Sequence, residues 1–412
     1  MDTMMNNMLA EKNQDAFDAR VCPAELEPGL DGLADITQHE ILALRTEYNL
    51  ADAHTHQRQS MTQRDIVARL PQLWYESEQT TQHALEQRFL RKFFTLHRQD
   101  TAMMLNRTML FYAASIAMMA VATFVMRRRM TVSLIDPCFD NLHDILANMH
   151  VPLLPLKEEL LTSGPGLYAR LENTVTGDVI ALVDPNNPTG ASLLTRGGKA
   201  FEELVRFCKD HHKILMVDLC FASFALMDTQ HGRCDVYALL ERSGVSYLVI
   251  EDTGKTWPVQ DAKCAMLTCS EDLHAALYNI QTSILLNVSP FILNMLSAYL
   301  DDSLADGLAS VKTVLDENRA YVRQALIGTL LRIIEPEVQV SVAWLEITDP
   351  EITATRLCES GYARNVYVLP GTYFFWSRKR VGERFIRLAL AREPSSFRAS
   401  VDALKEALDA LR

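Results

Sequence analysis

The middle of the chain alternates short apolar, β-branched runs with amphipathic stretches, the pattern of strands and helices layered in an α/β fold. The runs predict strands at MTVSLID (130–136), DVIALVD (178–184), KILMVD (213–218), SYLVIED (246–252) and KCAMLTC (263–269). Helical periodicity lies between them, in DNLHDILANMH after Phe139 and in LTRGGKAFEELVRFCKDHH before Lys213. From about residue 300 the pattern changes to long helices with a few strands, closing on SVDALKEALDALR, which reads as a smaller C-terminal domain. Near the other end, TQHEILALRTEYNLADAH from Thr37 carries a capping pattern and an apolar stripe of Ile41, Leu42, Leu44 and Tyr48, so a helix is expected there. What precedes it is polar and without period. The division expected is therefore a loose arm over 1–36, an N-terminal helix and turn over 37–60, a large domain over 61–300 and a small one over 301–412.

One stretch breaks the pattern. Met109 to Met126 is apolar throughout and is followed by Arg127, Arg128 and Arg129, which fits both the length and the flanking charge of a membrane span. Its parts favour a soluble reading: MLFY suits a buried strand, Ala113 to Ser115 a turn, and IAMMAVATFVM a helix buried in a large domain. The first residues include Asp2, Glu11 and Asp15 and no apolar core of a secretory signal, so the expectation is a cytoplasmic protein without a membrane span. A net charge of −12 argues against a nucleic-acid surface, and the eight cysteines form no CxxC pair that would mark zinc or a disulfide framework.

The polar residues that matter stand at strand ends, where α/β sheets bind ligands. DPNNPTG runs from Asp184 to Gly190, Asp218 ends an apolar strand, and Lys255 follows another in YLVIEDTGKTWP. A lysine amine can attach an aldehyde cofactor, and a strand-end carboxylate can keep a pyridine nitrogen protonated, so the order points to pyridoxal phosphate (PLP). Two prolines and a glycine hold Asn187 rigid enough to aim its amide at the ring oxygen, and Phe139 in DPCFDN can stack on the ring. The amides of Ala113, Ala114 and Ser115, opening a helix, are the expected phosphate cradle, with Lys263 adding charge. Arg387, inside the apolar FIRLALA, needs an anion, and a substrate α-carboxylate fits its fork. Arg392 nearby is expected to be exposed. Read singly, each of these residues has a plainer alternative, from a solvated lysine to a surface turn. The order of the set outweighs them.

Together these segments resemble fold-type I PLP enzymes of the class I and II aminotransferase superfamily, over roughly 100–400. EYNLADAH, LPQLWYESE, DPCFDN, PNNPTG, VIEDTGKTWP and FIRLALAR are also similar to the PLP-dependent L-arginine oxidases and hydroxylases of guanidino natural-product pathways, from about Glu40 to the C-terminus. Two departures from aminotransferases carry this closer resemblance. Phe221 stands where a tyrosine commonly bonds the ring oxygen, and Asp252 where a serine commonly binds the phosphate. A carboxylate would repel that phosphate, so Asp252 needs a cation, and a substrate guanidinium suits it. The resemblance implies that Glu40 and Asp52 join Asp252 around that guanidinium and that His54 serves water or oxygen chemistry above the cofactor. His56 has no such match and is read as a surface residue. A lid formed by the N-terminal helix and a homodimer are implied as well.

On this resemblance L-arginine is oxidised with O2 as co-substrate, giving ammonia, hydrogen peroxide and either 4-hydroxy-2-oxoarginine or a dehydrogenated 2-oxo acid. The alternatives are an ordinary aminotransferase acting on a basic amino acid, which consumes no oxygen, and a PLP-binding regulator that has lost turnover.

Overall fold

The computed structural model describes Leu33 and residues 35–161, 166–227 and 232–412. The arm expected over 1–36 lies outside these residues apart from Leu33, Asp35 and Ile36.

A seven-stranded sheet forms the centre, in the order Thr108–Phe111, Ala265–Cys269, Tyr247–Asp252, Ile214–Asp218, Val179–Val183, Val132–Asp136, Leu153–Lys157. All strands are parallel except Ala265–Cys269, which runs antiparallel to both of its neighbours. This is the mixed, mostly parallel sheet of an α/β fold, and all five strands predicted from 130 to 269 are present in it. Their β-branched and apolar residues are buried because helices cover them. The edge strand Leu153–Lys157 was not predicted; only Leu156 in it is buried, so it lacks the continuous apolar run.

Register aligns the strand ends. Val183 pairs with Asp218 and Asp218 with Ile250, while Phe111 and Asp252 flank Ala265 from opposite sides. Asp218, Asp252 and the start of the helix after Phe111 therefore meet at one carboxyl edge.

The apolar stretch from Met109 divides as expected into strand Thr108–Phe111 and a helix, which spans Ala114–Arg127. The expected turn is shorter than Ala113 to Ser115: Ala113 is the extended N-cap and the helix starts at Ala114. No helix among the described residues is long and apolar enough to cross a membrane.

Beyond the sheet, one helix runs unbroken over Pro290–Asp306, so residue 300 falls inside it. A four-stranded antiparallel sheet follows, ordered Leu369–Pro370, Phe385–Ala389, Val342–Ile347, Leu331–Ile334, with the terminal helix Pro394–Asp409 last in the chain. Arg387 enters from the second of these strands.

The N-terminal helix is Ile36–Ala43. Its cap is Asp35, whose side chain accepts the Gln38 N–H at 2.8 Å, so Thr37 does not cap it. The buried face is Ile36, His39 and Ala43; Ile41 and Leu44, expected inside, are exposed. The helix stops at Ala43, and Tyr48 lies in a two-residue strand parallel to Val366–Tyr367. The reason is tertiary: His39 bonds the Tyr367 hydroxyl at 2.7 Å and the Ile36 N–H donates to Asp140 at 2.6 Å, and these distant anchors select the face.

Candidate active site

One cavity of about 190 Å³ opens at the carboxyl edge of the large sheet. Lys255, Asp218, Asn187, Phe139, Asp252 and Lys263 line it, together with Ala113, Ala114, Ser115, His54 and Glu40. A cavity of about 240 Å³ behind the DPNNPTG loop is larger, but it holds neither Lys255 nor Asp218, and the chemistry selects the former.

Asp218 ends its strand partly open to the cavity, with Oδ1 accepting the Cys220 N–H at 2.8 Å. Burial raises the pKa of this carboxyl, and the Asp252 charge raises it further, whereas Lys255 lowers it. A cation in the cavity would relieve that strain, as a protonated pyridine nitrogen does. The loop behind Asn187 is closed by Asp184, which accepts Ser192 Oγ at 2.5 Å and the Leu193 N–H at 2.8 Å. Gly190 has φ of 71°, and a Cβ there would lie 2.3 Å from Pro336, so only glycine fits the turn. Asn187 is buried, and its Oδ1 accepts from Arg387 Nη1 at 3.3 Å, which leaves the Nδ2 amide as the donor for a ring oxygen.

The helix starting at Ala114 has no side-chain cap. Its first amide, Ala114 N–H, donates to Asp252 Oδ2 at 3.2 Å, and the Gly254 N–H donates to Asp252 Oδ1 at 2.6 Å. Asp252 thus sits beside the cradle. Burial raises its pKa, and Lys255 and Lys263 pull it down. Close packing sets this corner, since a Cβ on Gly254 would lie 2.8 Å from Lys263 Cδ. The Ser115 amide at the uncapped helix start, Lys263, a desolvated strand-end carboxylate, a lysine and an aromatic wall are groups that PLP calls for and fit it, although Asp252 already holds the Ala114 amide.

Arg387 is fully buried and does not line the cavity, but it reaches two residues that do. Nη2 donates to Glu40 Oε1 at 3.1 Å and to the Ala51 carbonyl at 2.6 Å, Nη1 donates to Asn187, and Nε has no partner among the described residues. The rings of Phe374 and Phe139 lie 5.2 and 5.8 Å from its Cζ. Burial lowers its pKa and Glu40 opposes the fall.

Asp52 is also outside the cavity lining. Its Oδ1 accepts His54 Nδ1 at 2.5 Å and its Oδ2 meets His56 Nε2 at 2.7 Å. Burial pushes this carboxyl up, but the hydrogen bonds from His54 and His56 outweigh burial and hold it well below the usual range. His54 Nε2 stands 3.3 Å from Lys263 Nζ and 3.5 Å from Asp261.

Arg392, expected at the surface, is buried at 6% exposure. It donates to the carbonyls of Asn49, Asp52 and His54, clamping the NLADAH turn. Backbone carbonyls leave no trace in sequence, so nothing in FIRLALAR marked this role. Phe221 is buried in the cavity wall, with its ring edge-on to Phe224. Cys220 and Asn141 line the cavity too and are not among the residues the sequence predicts for the site, although Asn141 lies in the DPCFDN motif.

Residues 51–408 match the family Aminotransferase class I and II. The solved structure of MppP soaked with the product 2-ketoarginine is 31% identical, with a TM-score of 0.79, over 87% of this chain and 99% of that one. LysN, the α-aminoadipate aminotransferase of Thermus thermophilus, complexed with N-(5'-phosphopyridoxyl)-L-leucine, is 14% identical over 92% and 95% of the two chains, with a TM-score of 0.71. An aspartate aminotransferase tetra mutant from Thermus thermophilus is 13% identical over 92% and 100%, also at 0.71. These two are alike in fold. No curated protein sequence matches the chain. With the family match, the mixed sheet and the lysine at its carboxyl edge in agreement, the chain belongs to the class I and II aminotransferases, PLP-dependent enzymes of fold type I.

Proposed function

We propose that the protein oxidises L-arginine with dioxygen, releasing ammonia and hydrogen peroxide and yielding 4-hydroxy-2-oxoarginine, a dehydrogenated 2-oxo acid, or both. The observation that carries this reading is the ion pair between Glu40 in the cavity wall and Arg387 buried behind it, at 3.1 Å. A substrate with a carboxylate at one end and a guanidinium at the other can exchange with both halves: its carboxylate takes the Arg387 fork and its guanidinium takes a carboxylate. An ordinary neutral amino acid would strand Glu40. The likeness to MppP, whose product is 2-ketoarginine, supports the same substrate class.

PLP, when bound, supplies a sink for the electron pair of the substrate Cα–H bond. Lys255 Nζ takes the α-proton. Asp218 would hold the ring nitrogen protonated, and the Asn187 Nδ2 amide would donate to the ring oxygen. His54, its Nδ1–H donated to Asp52, presents Nε2 as the acceptor for a proton from water. Electron pairs pass to dioxygen, which leaves as peroxide; water supplies the ketone oxygen, and a further water supplies the hydroxyl where the γ-carbon is attacked. Glu40, on the helix Ile36–Ala43, excludes solvent from the Arg387 side.

Purified, PLP-loaded protein given L-arginine and no oxo-acid acceptor is expected to consume oxygen and accumulate peroxide and ammonia. An oxygen electrode and coupled peroxide assay read it directly; amino transfer to an added 2-oxo acid without oxygen uptake would establish the aminotransferase instead.

Asp252 supplies a second test. Asp252→Asn is expected to raise the KM for arginine by about tenfold to a hundredfold, the worth of one charge-assisted bond, with PLP retained. Unchanged KM would remove Asp252 from guanidinium recognition and leave it as a partner of the cradle.

A further inference from the structure

Asp52 is shared between two imidazoles. Its Oδ1 accepts both the backbone N–H of His54 at 2.8 Å and His54 Nδ1 at 2.5 Å, while its Oδ2 takes His56 Nε2 at 2.7 Å. His54 faces the cavity, whereas the His56 side chain is 45% exposed on the other side of a carboxylate that is itself buried. The main chain around them is pinned. His56 N–H donates to the Ala391 carbonyl at 3.0 Å in an isolated parallel bridge with Arg392, and Arg392 in turn holds the carbonyls of Asp52 and His54.

An exposed histidine near an acid is commonplace, but here the acid has a buried carboxylate whose other oxygen already orients a cavity residue. A carboxylate gripped at one oxygen can still rotate about its last bond; gripped at both, it cannot. We propose that His56 is a positioning residue: by holding Asp52 Oδ2 it fixes the carboxylate so that Oδ1 receives Nδ1–H of His54, and His54 turns Nε2, as an acceptor, toward the cavity and Lys263 Nζ. The groups facing the pair are Asp52, Lys263 and Asp261 around His54, and Asp52 with the Arg392 backbone at His56. The functional weight of this arrangement rests on the reading of His54 as a proton acceptor in arginine oxidation.

The test uses PLP-loaded protein with ¹⁵N-labelled histidine. In the unsubstituted protein, NMR is expected to find His54 as the Nδ1–H tautomer; an Nε2–H tautomer overturns the proposal without any variant being made. His56→Ala is expected to mix the two tautomers and lower kcat by about tenfold to a hundredfold with little change in the KM for arginine, because Arg387 and Glu40 do not touch His56. His56→Gln, which restores a neutral donor to Oδ2, is expected to recover both. A His54 tautomer indifferent to His56→Ala, or equal losses in the two variants, refutes the role. The outcomes separate from those of the oxidase reading: no oxygen uptake with a tautomer that depends on residue 56 refutes the oxidase alone, and oxygen uptake with an indifferent tautomer refutes His56 alone.

Discussion

Lys255→Arg is expected to abolish turnover while leaving the fold intact. Lys255 is the amine at the carboxyl edge of the sheet, in one cavity with Asp218 and Asp252, and both carboxylates feel its charge. Arginine keeps that charge beside them, so neither acid is left without a cation. What it loses is an amine able to attach an aldehyde carbon and then to take a proton from Cα. Loss of general-base catalysis alone lowers kcat by about a hundredfold to ten-thousandfold, and loss of the covalent step adds to it. Borohydride treatment followed by denaturation is expected to leave the cofactor fixed on the unsubstituted chain and on no residue of the variant. Residual kcat above about one hundredth of the original would mean that another group takes the α-proton.

That Lys255 stood out at all follows from where chemistry collects in this fold. Strand ends in a parallel sheet converge on one edge, so polar residues that terminate apolar runs are neighbours in space although far apart in sequence. Asp218, Asp252 and Asn187 could be read this way because each ends or follows a run of buried residues. Arg387 could be read for the opposite reason, as a charge placed inside such a run. Arg392 carries the same charge a few residues later and is buried against expectation, since its partners are three carbonyls of a turn whose shape only the fold creates. The N-terminal helix was found but its face was not. Its buried stripe is set by contacts with Asp140 and Tyr367, over a hundred residues away, and two of its three members, His39 and Ala43, carry weak hydrophobic signals. The edge strand Leu153–Lys157 escaped because one covered residue gives no period. His56 looked like a surface residue and is exposed; only the shared Asp52 carboxylate distinguishes it.

The second large effect is expected at Arg387. Arg387→Gln should lower kcat/KM for L-arginine by about a hundredfold to several thousandfold, equivalent to roughly 3–5 kcal/mol for an unmatched buried charge. The effect has two sources, and they can be separated. In the free protein the guanidinium satisfies Glu40, Asn187 and the Ala51 carbonyl at once, so its removal leaves a half-buried carboxylate and two acceptors without their donor, and the thermal midpoint should fall. With substrate, the same fork is the group offered to the α-carboxylate. Glu40→Gln tests the difference, because it neutralises the internal partner and spares the fork. If Glu40 only occupies Arg387 until substrate arrives, Glu40→Gln should tighten the binding of simple carboxylates such as acetate. If Glu40 also receives the guanidinium, arginine should bind more weakly in the same variant while acetate binds more tightly. That opposite movement is the expected result, measured by calorimetry on the PLP-loaded protein. Arginine and acetate moving together would restrict Glu40 to the first role and return guanidinium recognition to Asp252.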